Sequence, residues 1–382
     1  MIVGIPKETS PGESRVAIVP NTVPSLQKAG FVVHVETGAG LEAGFPDNLF
    51  QDQGAVISDR SEVFEKADVI LQINTVGSNP ETDSQDISLL KEGQIVIGLI
   101  DALSNADAVR ALADSKVKSF ALELVPRITR AQAMDVLSSQ ANLAGYKSAL
   151  LAADSMPRIF PMMMTAAGTI TPARVLVIGA GVAGLQAIAT ANRLGAIVSA
   201  YDIRPAVKEQ VQSLGAKFVE LELETGEAED EGGYAKAMDE EFYKKQRELM
   251  TKVVAENDAV ITTASIPGKK APILVTQEMV DGMKPGSVIV DLAAESGGNC
   301  EATKAGETVD VGGVKVIGPV NVPSTVPYHA SQMYAKNIAN LLLLMVKDEE
   351  LNIDLEDEIL KESLVTDGGN VVNDRVKEAH SL

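Results

Sequence analysis

Gly179-Ala180-Gly181-Val182-Ala183-Gly184 follows the apolar run Arg174-Val175-Leu176-Val177-Ile178 and opens an alanine-rich stretch, 185–194, that ends at Gly195. A second apolar run, 196–201, then delivers Asp202 roughly 20 residues after the loop, as the βαβ unit of a Rossmann fold requires. Each glycine has a physical task. Gly179 permits the tight turn, Gly181 lets the backbone approach a pyrophosphate, and Gly184 lets the helix sit close to the strand. The helix N-terminus adds unpaired N–H groups and the positive end of its dipole. Asp202 can accept hydrogen bonds from ribose hydroxyls, and its charge repels a 2′-phosphate, so the nucleotide expected is NAD(H). Arg204 pulls the other way, because an arginine just after the strand can bind that phosphate. With the acid in the ribose position, Arg204 reads as stacked near the adenine or solvated. The alternative for the six residues is a tight structural βα turn.

Outward from this unit, short β-branched runs alternate with helical stretches along the whole chain, the signature of α/β architecture with parallel sheets. Strands are expected at 3–5, 31–35, 69–73, 95–100 and 117–122, with helices at 22–29, 61–66 and 106–114 between them. A second series of strands is expected at 174–178, 196–201, 259–263, 287–292 and 314–317. A connecting helix is expected over 134–156, and a helix over 331–347 is expected to return the chain to the first domain. Residues 363–366 and 371–372, around Asp367-Gly368-Gly369, form a hairpin signal. The fold expected is therefore α/β, two Rossmann-like doubly wound domains joined by long helices. The first spans 1–137 and is completed by 320–382; the second, 138–319, binds NAD(H). The acidic stretch 220–241 reads as a long surface loop. Gly38-Ala39-Gly40 is a decoy, since Leu41-Glu42-Ala43-Gly44 breaks the spacing and Pro46 interrupts any helix there.

The 382 residues exceed what one core comfortably serves. Asp and Glu outnumber Lys and Arg, 53 to 33, for a formal charge of −20. So acidic a surface repels phosphate backbones and speaks against nucleic-acid binding. No apolar run approaches the roughly 20 residues of a membrane helix. The start, Met1 to Lys7, reads as a strand rather than a signal peptide, and a cytoplasmic location is expected. The single cysteine, Cys300, excludes an internal disulfide and a cysteine-based metal cluster, and no metal site is expected.

Oxidation of an alcohol or amine moves a proton as well as a hydride, and calls for a His, Lys or Tyr near the nicotinamide. His34 lies in an apolar strand and reads as structural, and His380 reads as solvated in the polar tail. His329, starting a helix, is the one serious candidate, although near-cap packing serves it equally. Hydride exchange between two nicotinamides needs no acid or base, and the scarcity fits it. Polar partners for a nicotinamide cluster in Pro126-Arg127-Ile128-Thr129-Arg130-Ala131-Gln132-Ala133-Met134-Asp135-Val136-Leu137-Ser138-Ser139, where a ligand at the strand ends would be met. An ordinary helix start, capped by Asp135 or Thr129, explains the same segment. The residues leave both readings open.

The chain resembles the NAD(H)-binding alpha subunit, domain I, of proton-translocating nicotinamide nucleotide transhydrogenases. The strings that carry the resemblance are Gly4-Ile5-Pro6-Lys7-Glu8, 126–132, 137–146, Ile266-Pro267-Gly268-Lys269 and Gly297-Gly298-Asn299-Cys300. It implies that Arg127, Gln132, Asp135 and Ser138 contact the nicotinamide and its ribose, and that Tyr234, in Gly232-Gly233-Tyr234-Ala235, is the lid residue of a loop closing over the nucleotide. Ile128, Thr129, Val182, Ile203, Arg204, Gly233 and Ala264 complete the implied cofactor contacts, beside the glycines and Asp202. It further implies NADP(H) held on a partner subunit, a membrane proton-channel subunit, a homodimer, and peripheral membrane association through those partners. Alanine dehydrogenases are similar too and share Arg15, but their substrate lysine and histidine fall at Gln72 and at Ile100 or Asp101. Many transhydrogenases also keep a lysine where this chain has Gln72. The rival readings are a partner-independent alanine-type dehydrogenase and a non-catalytic NAD-binding module.

Overall fold

In the computed structural model, which describes residues 1–75, 86–221, 240–265 and 268–382, the chain divides into two units. Unit 1 comprises 1–140 and 323–382, and unit 2 comprises 141–322. The expected boundaries fell at 137/138 and 319/320.

Unit 1 carries an eight-stranded sheet ordered Asn370–Val371, Leu364–Asp367, Lys118–Ala121, Ile95–Leu99, Val69–Asn74, Ile2–Ile5, Val32–Glu36, Val56–Ser58. The last six pair in parallel, and Leu364–Asp367 adds antiparallel to Lys118–Ala121. Its turn, Gly368-Gly369, has positive φ at both residues, as the hairpin requires. Alternate side chains enter opposite layers: Val69, Leu71 and Ile73 join one core, whereas Ile70 joins the other. Burial on both faces is why these strands read as continuous apolar runs.

Unit 2 repeats the plan. Its main sheet has seven strands, ordered Lys217–Phe218, Ile197–Tyr201, Arg174–Ile178, Ala259–Thr262, Val288–Asp291, Val314–Ile317, Thr308–Val311. All but the last are parallel. The parallel strands run 3-2-1-4-5-6 in unit order, as in dinucleotide-binding domains. Val175 and Val177 pack on one side of the sheet and Leu176 and Ile178 on the other.

The helix Val136–Ser155 carries the chain from one unit to the next. At Gly145 it lies against the start of the helix Val182–Arg193: a Cβ there would stand 2.0 Å from the Ala183 carbonyl oxygen. The second long helix, Pro327–Leu344, begins four residues before the expected 331, because Pro327 takes the first-turn position that proline favours. It lies wholly within unit 1, which the chain has already re-entered at Pro323. Three-residue Val56–Ser58 and five-residue Asp47–Gln51 were not anticipated. Pro46 does not stop that helix; it is its N-cap. Among the described residues no helix is long and apolar enough to cross a membrane.

Candidate nucleotide-binding site

The glycine loop sits at the carboxyl end of Arg174–Ile178, the first strand of the seven-stranded sheet, between the neighbours on either side of it. Gly179 has φ +97°, and a Cβ there would stand 2.6 Å from Thr263 Oγ1. A Cβ on Gly184 would collide with the Gly179 carbonyl oxygen at 1.8 Å. Both glycines are therefore demanded by the fold itself. Gly181 is different. Its φ is −76°, and a Cβ would meet only Arg204 Nη2, at 3.9 Å. Nothing among the described residues requires glycine there, whereas a phosphate approaching the backbone would. Gly181 is also the N-cap of the helix Val182–Arg193 and offers no side-chain cap, and Val182 remains 37% exposed beside it. An uncapped helix start with an exposed apolar residue fits a dinucleotide.

Asp202 and Arg204 are both buried and bonded to each other, so of the two expectations for Arg204 the solvated one is corrected. Asp202 Oδ1 accepts from the Arg204 backbone N–H at 2.9 Å and Nε at 3.0 Å. Its Oδ2 accepts from Arg204 Nη2 at 2.9 Å and from the Ala180 backbone N–H at 2.7 Å. Asp202 thus ties the glycine loop to the end of the second strand. Half-buried Ile203 lies between the pair and packs on the core below.

Ala264 is held by a residue whose role the sequence did not disclose. The Ala264 N–H donates to Asn299 Oδ1 at 3.0 Å, and its carbonyl accepts from Asn299 Nδ2 at 2.9 Å. Asn299 is fixed in turn by Asp291, a fully buried carboxylate. Asp291 accepts from the backbone N–H groups of Ala293, Asn299 and Cys300 and from the hydroxyls of Thr262 and Thr303, between 2.7 and 3.0 Å. Five donors on one carboxylate supply the hydrogen bonds that let its charge remain buried.

In unit 1 the strand Lys118–Ala121 leads through Pro126 into a 3₁₀ turn, Thr129–Met134, and then the long helix. Arg127, Thr129 and Gln132 are exposed, and Ile128, Asp135 and Ser138 half-buried. Asp135 is a helix cap: its Oδ1 accepts the Ser138 N–H at 2.9 Å and its Oδ2 the Ser138 hydroxyl at 2.6 Å. Thr129 does not take that role. Arg130 is committed to Asp357 through two bonds of 2.5 and 2.8 Å. The segment thus gathers Arg127, Gln132, Asp135 and Ser138 on one turn-to-helix junction, and the glycines, Asp202, Ile203, Arg204 and Ala264 gather in unit 2. Gly233 and Tyr234 lie outside the described residues, as do Ile266 and Pro267.

The histidines offer no acid–base centre in either group of residues. His34 is buried with Nδ1 3.0 Å from Ser58 Oγ, a structural role as expected. His380 is not simply solvated: its Nε2 lies 2.8 Å from the Ala102 carbonyl oxygen. His329 is exposed near the start of its helix, edge-on to Tyr328. Arg15 is buried and bonded to Glu13 through Nε at 2.8 Å and Nη2 at 2.7 Å, while Nη1 donates to Gln140 Oε1 at 2.9 Å. Burial, and then the like charge of Glu13, push neighbouring Glu8 up to about 8. Gln72 is buried, and its carbonyl accepts the Tyr334 hydroxyl at 2.7 Å.

The families described as "Alanine dehydrogenase/PNT, N-terminal domain" and "Alanine dehydrogenase/PNT, C-terminal domain" match residues 4–144 and 148–374. The chain is 50% identical over 377 residues to a Rhodospirillum rubrum protein named as an NAD(P) transhydrogenase subunit alpha, covering 98% of both chains. It is 28% identical over 392 residues to an alanine dehydrogenase of Methanococcus maripaludis, covering all of this chain and 97% of that one. A solved transhydrogenase structure from Sinorhizobium meliloti superposes with a TM-score of 0.88 at 48% identity, over 97% of this chain and 100% of that chain. The chain therefore belongs to the alanine dehydrogenase/PNT family, with its high-identity relatives among NAD(P) transhydrogenase alpha subunits.

Proposed function

We propose that this chain is the NAD(H)-binding subunit of a proton-translocating transhydrogenase and exchanges hydride with NADP(H) held on a partner subunit. The reading is carried by similarity, over nearly the whole length of both chains, to a Rhodospirillum rubrum protein named as an NAD(P) transhydrogenase subunit alpha. When bound, the nicotinamide supplies the hydride donor or acceptor; the chain supplies position. The backbone at Gly179, Gly181 and Val182 receives the pyrophosphate, Gly184 keeps the helix close enough to do so, and Asp202 takes the adenosine ribose. Ile203, Arg204 and Ala264 bound that end of the nucleotide, and Arg127, Ile128, Thr129, Gln132, Asp135 and Ser138 orient the nicotinamide end. Gly233 and Tyr234 enter as the lid on the resemblance alone. Near-attack placement of two rings with water excluded is the main physical requirement of such a step, and it needs no general base.

The same reading places the chain in the cytoplasm, held at a membrane by a proton-channel subunit. It also makes the chain a homodimer. The hairpin Met163–Thr165 with Gly168–Ile170 leaves Met162, Met163, Met164 and Ile170 between 45% and 74% exposed, an apolar surface that a second copy would cover. Sedimentation should give twice the chain mass, and Met164→Glu should shift it toward one. A monomeric parent protein would end the dimer proposal.

Gln132 tests the orienting role. Substituting it with Asn shortens an exposed side chain by one methylene, and should slow hydride transfer about tenfold or more. NADH affinity should change little, because the pyrophosphate and ribose contacts carry most of it. Transfer at the parent's maximal rate with weakened binding would reduce Gln132 to an anchor.

A further inference from the structure

Asn337 lies on the helix Pro327–Leu344, is 7% exposed, and has no place in the nucleotide contacts above. Its Nδ2 donates to the Ala133 carbonyl at 2.9 Å, and its Oδ1 accepts the Ser139 hydroxyl at 2.7 Å. The amide orientation is set by chemistry: Ala133 offers only a carbonyl oxygen, so the NH₂ group must face it. Ser139 Oγ also has the Val136 carbonyl within 3.1 Å, but its single hydrogen has the shorter contact with Asn337. Gln140 Nε2 donates to Ser139 Oγ at 3.3 Å, which leaves that hydrogen free to point toward Asn337.

The two anchors straddle Asp135. Ala133 lies next to the end of the 3₁₀ turn that bears Gln132, and Ser139 stands in the first turn of the helix that bears Ser138. Asp135 joins the junction internally, through the Ser138 N–H and hydroxyl and through its own backbone, whose N–H donates to the Gln132 carbonyl at 3.3 Å and whose carbonyl accepts the Ser139 N–H at 3.2 Å. From outside, the Asn337 amide bonds both sides of Asp135, whereas Gln140 Nε2 ties only the helix side, to the Ala330 carbonyl at 3.2 Å. Asn340 Nδ2 reaches the Ala133 carbonyl too, at 3.1 Å, but touches only the turn side.

We propose that Asn337 is a positioning residue for hydride transfer: its amide clamps the turn and the helix on either side of Asp135, and so sets Gln132 relative to Ser138. The proposal rests on the reading that these residues orient the nicotinamide. A displacement of about 1 Å at such a site costs on the order of a hundredfold in rate, whereas adenosine and pyrophosphate contacts do not depend on the clamp.

The test uses the full chain mixed with an NADP(H)-binding transhydrogenase subunit, with NADH affinity measured in parallel. Asn337→Ala should lower the first-order transfer rate at least about tenfold, with NADH affinity kept within about threefold. In a Gln132→Asn background the same substitution should have less than about a threefold further effect, because the two act through one geometry. Ser139→Ala, which removes one hydroxyl, should show the same pattern at smaller size and serves if Asn337→Ala fails to fold. An unchanged rate, parallel loss of binding and transfer, or a full multiplicative effect with Gln132→Asn would overturn the clamp. Hydrogen exchange separates this from failure of the functional reading. If the parent transfers no hydride, faster exchange confined to 133–139 in Asn337→Ala still supports the clamp, and unchanged exchange there refutes it.

Discussion

Replacing Asp202 with serine is expected to weaken NADH binding about tenfold to a hundredfold and to bring NADPH within reach of the same site. A hydrogen bond to a charged acceptor is worth ~1.5–3 kcal/mol, and 1.4 kcal/mol is about a factor of ten. A carboxylate offers about four lone-pair sites. In Asp202 four donors meet them: the Ala180 and Arg204 backbone N–H groups and the Arg204 Nε and Nη2. A ribose hydroxyl can therefore bond Asp202 only if Arg204 yields a contact. Arg204 thus competes with the ribose for the carboxylate, and Asp202 in turn keeps the guanidinium from acting as a phosphate ligand. Serine removes the repulsion toward a 2′-phosphate and releases Arg204 beside the glycine loop. The double variant Asp202→Ser/Arg204→Ser should keep the NADH loss and forfeit the NADPH gain. Calorimetric titration of both nucleotides against the three proteins checks this, and undiminished NADH affinity in Asp202→Ser would remove it as the ribose ligand.

How much of this was legible follows from what each feature depends on. The glycine loop, its two strands and its helix are local, and their order and spacing survive in the sequence; the helix Val182–Arg193 starts three residues before the apolar stretch suggested, within the loop itself. Strands buried on both faces were legible as apolar runs, whereas three-residue Val56–Ser58 was too short to show a period. Roles built from distant partners were not legible. The donors to Asp291 span Thr262 to Thr303, and Asn299 reaches back 35 residues to Ala264. Nothing in their local sequence distinguishes them from loop residues. That Arg204 is buried rather than solvated is not legible locally: its partner is two residues away, but its burial is decided by the surrounding fold. His380 looked like a solvated tail residue until the fold brought Ala102, 278 residues away, within reach of its ring.

With alanine as substrate and this chain alone, NAD reduction should be negligible. With an NADP(H)-binding transhydrogenase subunit added, hydride should pass between the nucleotides even without a membrane. The first half rests on what surrounds Arg15. A guanidinium that is to hold a substrate carboxylate needs its donors free, yet Nε and Nη2 are spent on Glu13 and Nη1 on Gln140. The Glu13 carboxylate already takes guanidinium donors that an incoming anion would need, and Arg15 and Glu13 are both buried. Breaking such a buried pair costs about 3–5 kcal/mol, so a weak monocarboxylate does not displace it. Amine oxidation also needs a proton acceptor, and at Gln72, where the resemblance to alanine dehydrogenases implies a lysine, this chain has an amide. The second half needs none of this, because proximity and orientation of two rings supply the rate. Proton translocation should still require the membrane subunit. Brisk NAD reduction by alanine with the chain alone would instead establish a dehydrogenase, and would mean that Arg15 changes partners when substrate arrives.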